Sequence, residues 1–407
     1  MSTLLLKANW NYPTSIKVGA GRARELIEAC SSLGIKSPLL VTDNNLAKLP
    51  MIETALIRCQ EAGLQCALFA DIKANPTGEN VLAGVDAYRN GRHDGVIAFG
   101  GGSALDAAKA IALMVGQNRS LWDFEDVGDN WQRVNVTHIA PVIALPSTAG
   151  TGSEVGRASV ITDTQQQRKK IIFHPKMIPS IVILDPELTV ALPLQITAAT
   201  GMDALSHCLE AYSAPNYHPM AEGIALEGIR LIKKHLPRVI QNGNDLDART
   251  QMLVASMMGA TAFQRGLGAM HALAHPLGAI YDAHHGRLNA ILMPYVLQAN
   301  RSEIEQKIIR LASYLDIDNG FDGFLDWILQ LREKLGIEHS LSEIGIDARD
   351  LGRIAIMATE DPSAQSNPIL FTEQQYKNIL TAAIHGDYKH HLGTVAIRLA
   401  EGTLGEL

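Results

Sequence analysis

Between Pro38 and Leu145 the chain alternates short, almost wholly apolar runs with stretches of helical spacing. Pro38-Leu39-Leu40-Val41-Thr42, Cys66-Ala67-Leu68-Phe69, Gly95-Val96-Ile97-Ala98-Phe99 and Val142-Ile143-Ala144-Leu145 read as strands. Helices are predicted over 46–62, ended by Gly63, over 78–90, ended by Gly91, and over 104–114. Strands apolar on both faces need cover on both faces, so this pattern predicts a parallel sheet sandwiched by helices. Two further runs, Val160-Ile161-Thr162 and Ile171-Ile172-Phe173, flank a polar turn and suggest a hairpin appended to that sheet.

After Pro193 the strand-like runs stop. Helical apolar spacing covers 194–212, 221–235, 248–263, 288–300, 302–315, 322–335, 348–359 and 373–383. The expected division is an α/β domain over 1–190 and an all-α domain over 191–407.

The chain's 407 residues suffice for two sizeable cores. A net charge of −7 without long single-sign runs argues against a nucleic-acid partner. The densest basic cluster, Arg168-Lys169-Lys170, reads as a solvated loop. No apolar run approaches the roughly 20 residues of a membrane span, and Leu4-Leu5-Leu6 is too short for a signal-peptide core. Cys30, Cys59, Cys66 and Cys208 lie far apart in sequence without paired metal-binding spacing, and read as reduced thiols of a cytoplasmic protein.

Chemistry enters with Asp203 and His207, four apart, and with His271 and His275, also four apart. Residues four apart on a helix share a face, so each pair can converge on one point. His284-His285-Gly286 follows and offers a further imidazole from a turn. One carboxylate with three imidazoles suits a divalent transition metal.

Two loops point to a nucleotide. Gly100-Gly101-Gly102-Ser103 follows a strand and opens a helix, where bare backbone and unpaired N–H groups suit a phosphate. Pro146-Ser147-Thr148-Ala149-Gly150-Thr151-Gly152-Ser153-Glu154 is rich in hydroxyls and small residues; it reads either as a nucleotide wrap or as an ordinary loop. Asp43, just past a strand, reads either as a ribose-binding carboxylate or as a helix cap.

These segments, with Asp106, Asp185-Pro186-Glu187-Leu188, Gly201-Met202-Asp203-Ala204 and the run from His271 through His285-Gly286 to Asn289-Ala290, resemble the iron-containing (group III) alcohol dehydrogenase family. The resemblance implies an α/β dinucleotide-binding domain followed by an all-α domain, the dehydroquinate synthase-like architecture. It implies metal ligands at Asp203, His207, His271 and His285, holding Fe²⁺ or Zn²⁺. His275 matches the non-ligand histidine beside nicotinamide and substrate. Asp43 matches the acidic residue that favours NAD over NADP. Asn75, Gly101, Gly102, Ser103, Asp106, Ser147, Thr148, Thr151, Lys169 and Leu188 match positions of the cofactor site. A homodimer or larger homo-oligomer is also implied.

The expected reaction moves a hydride between a primary alcohol or aldehyde and NAD(H), with the metal as Lewis acid on the substrate oxygen. Glycerol-dehydrogenase-like or other polyol and hydroxy-acid dehydrogenases of the same superfamily are the alternative. A metal-dependent hydrolase would leave both loops without a task. Gly156 and Ala158 are smaller, and Arg265 more charged, than the residues of several relatives, which suggests a wider pocket or a polar or anionic substrate.

Overall fold

A computed structural model describes residue 12 and residues 14–387. It divides into two compact units. Of the described residues, one holds those up to Thr197 together with Gln241–Thr261; the other holds Ala198–Ile240 and those from Ala262 on.

The first unit is built on a six-stranded parallel sheet. Its strands are β1 (Ser15–Val18), β2 (Pro38–Val41), β3 (Ala67–Phe69), β4 (Gly95–Gly100), β5 (Val142–Pro146) and, after a hairpin, β8 (Ile181–Leu184), in the order β1-β8-β5-β4-β2-β3. The central strands β2, β4, β5 and β8 are buried at every residue, which explains their unbroken apolar runs. Helices α1 (Leu26–Ser32) and α2 (Pro50–Glu61) bury Leu26, Cys30 and Ile52 against Ile97, Phe99, Ile143 and Leu145. Helix α4 (Gly102–Met114) packs on β4 and β5, and α3 (Gly78–Asn90) on α4. Thr77 starts α3 with a reciprocal capping box to Asn80.

Strands β1 and β8 escape the sequence reading. They pair with each other in parallel, Ser15 opposite Ile181, so the one partner of the edge strand β1 lies 166 residues away, while β8 also pairs with β5. The hairpin exists as β6 (Ala158–Asp163) and β7 (Arg168–Phe173), but it forms a separate two-stranded sheet rather than extending the main one. Arg168-Lys169-Lys170 is therefore a strand rather than a solvated loop. Lys170 is buried, pairs with Asp163 at 2.9 Å and stands 5.0 Å from the Trp122 ring. Three of the cysteines also come together. Cys30, Cys59 and Cys66 share the apolar cluster under the sheet, and burial pushes the Cys30 thiol up to about 12.

Among the described residues the second unit has helices only. Helix α5 (Leu194–Ser213) enters it in its first turn. Then come α6 (Pro219–Gln241), α8 (Ala269–Tyr281), α9 (His285–Ala299), α10 (Arg301–Tyr314), α11 (Gly320–Lys334), α12 (Leu351–Glu360) and α13 (Glu373–His385). Helix α7 (Leu246–Ala262) belongs almost wholly to the sheet unit, so the helical region of the sequence is not one domain. Helix α8 packs on α9 and α12, which places the two histidine-bearing helices side by side. No helix among the described residues is long and apolar enough to cross a membrane.

Candidate metal centre and nucleotide loops

Asp203 and His207 lie on successive turns of α5, and His271 lies in the first turn of α8. All three are buried, and each offers a ligand atom within 4.8 Å of the others'. The rings of His207 and His271 stack with centroids 4.7 Å apart. His285 is the first residue of α9 rather than part of a turn; its Nε2 is 3.7 Å from Asp203 Oδ1. Its neighbour His284 is an exposed N-cap residue, so His285 is the one turned toward Asp203. Gly286 permits this approach: a Cβ there would fall on the Ala199 carbonyl oxygen and 3.0 Å from Asp203 Cβ.

The donor set fits a divalent transition metal. Carboxylate oxygen and imidazole nitrogen are its ordinary ligands, and without a cation three close imidazoles and a carboxylate would be a costly group to bury. Asn289 marks the same focus. Its Nδ2 lies 2.9 Å from Asp203 Oδ1 and 3.2 Å from both His271 Nε2 and His285 Nε2, while its Oδ1 is buried without a partner.

Two carboxylates that the sequence reading missed complete the site. Glu210, one further step along the Asp203–His207 face of α5, is buried with Oε2 2.6 Å from His271 Nδ1. Asp361 Oδ2 stands 2.8 Å from His275 Nδ1. The spacing 203, 207, 210 could have flagged Glu210; nothing local flags Asp361. Burial pushes the pKa of His271 down, but the carboxylates of Glu210, Asp203 and Asp361 outweigh it and hold it above the ordinary value. Burial raises Asp361, yet the His275 ring and Ser363 bring it below the usual carboxylate range. His275 itself stacks on His285, with centroids 5.4 Å apart, beside the ligand set.

In the sheet unit, Asp43, Gly100 to Ser103 and Ser147 to Thr151 follow the carboxyl ends of β2, β4 and β5. The chain leaves β2 toward β3 on one side and β4 toward β5 on the other, so β2 and β4 flank the point where winding reverses. Ligands of open parallel sheets bind at such a point. Ser147 N donates to Gly100 O at 2.9 Å. A Cβ on Gly102 would stand 2.8 Å from Thr151 Oγ1, and one on Gly101 3.3 Å from the Thr148 methyl, so the two loops lie against each other. Ser103 Oγ donates to Ala74 O, which brings Asn75 to the same place. The N-terminus of α4 has no side-chain cap and no acidic residue in its first turn, as an anion site requires.

Asp106 has both carboxylate oxygens committed inside the protein: to Ser153 Oγ at 2.5 Å, to Val160 N at 2.9 Å and to Lys109 Nζ at 3.2 Å. It holds the second loop in place. Asp43 Oδ1 accepts from Asn45 N and Leu46 N, so the side chain closes a turn ahead of the short helix Leu46–Lys48, whose N-cap position is held by Asn45. Leu188 sits in the core cluster under the sheet, and Lys169 lies on β7 opposite Thr162. Glu154 is buried beside Lys109, and desolvation pushes its pKa up to about 7. A Cβ on Gly156 would meet Lys109 Nζ at 3.4 Å, so buried lysine already borders the space its small size leaves.

Arg265 has a structural task. Its guanidinium is buried and closes the end of α5, donating to the carbonyls of Ala211, Tyr212 and Asn216, and it pairs with Glu222 at 2.9 Å. Its Nε and Nη1 are thus taken up by the protein's own carbonyls and by Glu222. His174 and His218 are buried packing residues that accept from Lys176 N and Ala221 N; His391 lies outside the described residues.

Residues 13–186 match the family described as iron-containing alcohol dehydrogenase, and residues 197–384 match the C-terminal domain of the Fe-containing alcohol dehydrogenase family. The chain is 36% identical to 4-hydroxybutyrate dehydrogenase of Cupriavidus necator, over 91% of this chain and 98% of that one. It is 33% identical to NAD-dependent methanol dehydrogenase of Bacillus methanolicus, over 92% of this chain and 100% of that one. Among solved structures, 1,3-propanediol oxidoreductase superposes with a TM-score of 0.88 at 32% identity, covering 93% of this chain and 100% of that one. With a buried Asp-His-His cluster on one unit, a glycine-rich helix start on the other, and relatives matching along nearly its whole length, the chain belongs to the iron-containing alcohol dehydrogenase family.

Proposed function

We propose that this protein is a metal-dependent dehydrogenase that interconverts a primary alcohol and its aldehyde with NAD⁺ and NADH. The observation that carries the reading is the buried cluster of Asp203, His207 and His271, with His285 as the fourth ligand. Bound there, Fe²⁺ or Zn²⁺ supplies Lewis acidity toward the substrate oxygen, and NAD⁺ supplies the hydride acceptor.

The chain's own residues do the rest. Gly101, Gly102 and the start of α4 take the pyrophosphate on backbone N–H groups. Ser103, Ser147, Thr148 and Thr151 supply hydroxyls around it, with Asn75 at its border and Lys169 beside it, opposite the Thr162 that donates to Pro76 O. Asp106 and Ser153 hold the second loop in shape. The second oxygen of Asp43 takes the adenosine ribose hydroxyls and repels a 2′-phosphate. Leu188 supports the loops from the core. Asp361 holds His275 Nδ1 as a donor, leaving Nε2 to take the alcohol proton or return it.

We place the protein in the cytoplasm, on the support of four free cysteines, and expect a homodimer or larger homo-oligomer. An anaerobic panel of alcohols and aldehydes, with NAD(H) and NADP(H) after Fe²⁺ or Zn²⁺ loading, tests the activity by absorbance at 340 nm. Turnover of primary alcohols with NAD⁺ is expected. No turnover of any of them by metal-loaded protein would overturn the reading.

A further inference from the structure

We propose that Glu210 is a positioning residue of the metal centre, acting through His271 by fixing its tautomer and its place at the start of α8. The inference rests on the metal-centre reading above.

The geometry is that of a clamp. Glu210 Oε2 accepts from Gly268 N at 2.8 Å and lies 2.6 Å from His271 Nδ1, while Oε1 accepts from Met270 N at 2.7 Å. The carboxylate thus satisfies two of the backbone donors that open α8 and the ring of the residue that follows them. It also sits where a helix favours negative charge. Asn367 Oδ1 takes the intervening Ala269 N at 3.0 Å, and Asn367 is itself held by Asn300. Gly268 leaves room for the clamp, because a Cβ there would stand 2.9 Å from Glu210 Oε1 and 2.8 Å from Asn367 Oδ1.

The chemistry follows from the donor inventory. Both carboxylate oxygens already accept backbone N–H groups, and a third contact of that accepting group is met by a ring N–H at His271 Nδ1. A neutral imidazole protonated at Nδ1 has its lone pair on Nε2, the atom 3.2 Å from Asn289 Nδ2 at the focus of the ligand set. Glu210 therefore selects the tautomer able to bind a metal and aims it. It does so from α5, the helix that also carries Asp203 and His207, so three ligands are referenced to one element. Partners of this kind, one bond removed from the metal, are worth about 10- to 100-fold in metal affinity.

The test is Zn²⁺ affinity, measured on the full chain by competition with a chromogenic chelator, for the unmodified protein, Glu210→Gln, His271→Ala and the double variant. Gln keeps the size of the side chain but offers one accepting oxygen to three donors. Its amide N–H₂ can reverse the His271 tautomer. The expected result is an affinity loss of about 10- to 100-fold for Glu210→Gln, and no further loss when the same change is made on His271→Ala. Nitrogen NMR of the Zn²⁺-loaded protein should show the Nδ1–H form of His271 in the unmodified protein, and that form should be lost or mixed in Glu210→Gln. An unchanged affinity, or an equal loss with and without His271, would overturn the proposal. Failure of the unmodified protein to bind Zn²⁺ would instead overturn the metal-centre reading beneath it.

Discussion

His275 Nδ1 stands 2.8 Å from Asp361 Oδ2, and the two residues are 86 positions apart. Nε2 of His275 is left free by this pair, and we propose that it carries a proton rather than binds the metal. With Nδ1 engaged by a carboxylate and the ring stacked on His285, the histidine is held beside the ligand set. His275→Ala should therefore lower kcat by about 10²- to 10⁴-fold while leaving metal content near that of the unmodified protein. Asp361→Asn should lower kcat less, because the ring stays but its orientation is no longer fixed. Steady-state kinetics alongside metal analysis checks both. Metal lost in step with kcat would make His275 a ligand or a structural residue.

A second expectation concerns cofactor choice. Asp43 has one oxygen in a turn of its own and the other unengaged by any described residue. Asp43→Ser keeps a side chain that can close the turn but removes the charge. The ratio of kcat/KM for NADP⁺ over NAD⁺ should rise by about tenfold or more, with a stability change within about 1 kcal/mol. An unchanged ratio would leave Asp43 as a turn residue only.

Gly102→Ala tests the contact between the two loops. The added methyl would press on Thr151 within van der Waals distance and displace the hydroxyl loop from the start of α4. NADH binding, followed by fluorescence titration, should weaken by about tenfold or more, while Zn²⁺ affinity is unchanged. Equal NADH affinity would mean that the second loop is not part of the nucleotide site.

Arg265→Met addresses the arginine that the sequence placed near the substrate. It removes a donor from three carbonyls, of which Tyr212 O keeps Lys307 Nζ, and from Glu222, which keeps only Arg310. Stability by denaturant unfolding should fall by about 2–4 kcal/mol, with KM for a short alcohol unchanged. A selective rise in KM for anionic substrates would return Arg265 to the pocket.

Glu154 gives a pH dependence with a definite sign. Its pKa is raised from the usual 4.5 to about 7, so between these values the folded chain holds a proton that the unfolded chain has lost. The stability tied to this group is present below pH 4.5 and declines as pH rises to about 7, by at most about 3 kcal/mol. Glu154→Gln should remove that decline. Melting temperatures of the two proteins across pH 5–8 should therefore diverge in favour of the variant as pH rises; parallel curves would show that Lys109 keeps Glu154 charged throughout.

Much of this molecule could be read from the chain. Wholly apolar runs fix β2, β4 and β5 as buried parallel strands, and four-residue spacing fixes Asp203 with His207 and His271 with His275, because backbone geometry alone sets those periods. The glycine turn at Gly100 and the hydroxyl loop at Ser147 were legible for the same reason. Tertiary structure decided everything that depends on a distant partner. It set the strand order, gave β1 and β8 their pairing, and assigned α7 to the sheet unit. It brought Glu210 to His271 across 61 residues and Asp361 to His275 across 86. It also gave Arg265 its task as the cap of α5. A periodic pattern says which face of a helix is special; only packing says what lies opposite that face, and a carboxylate or guanidinium takes its role from what it meets there.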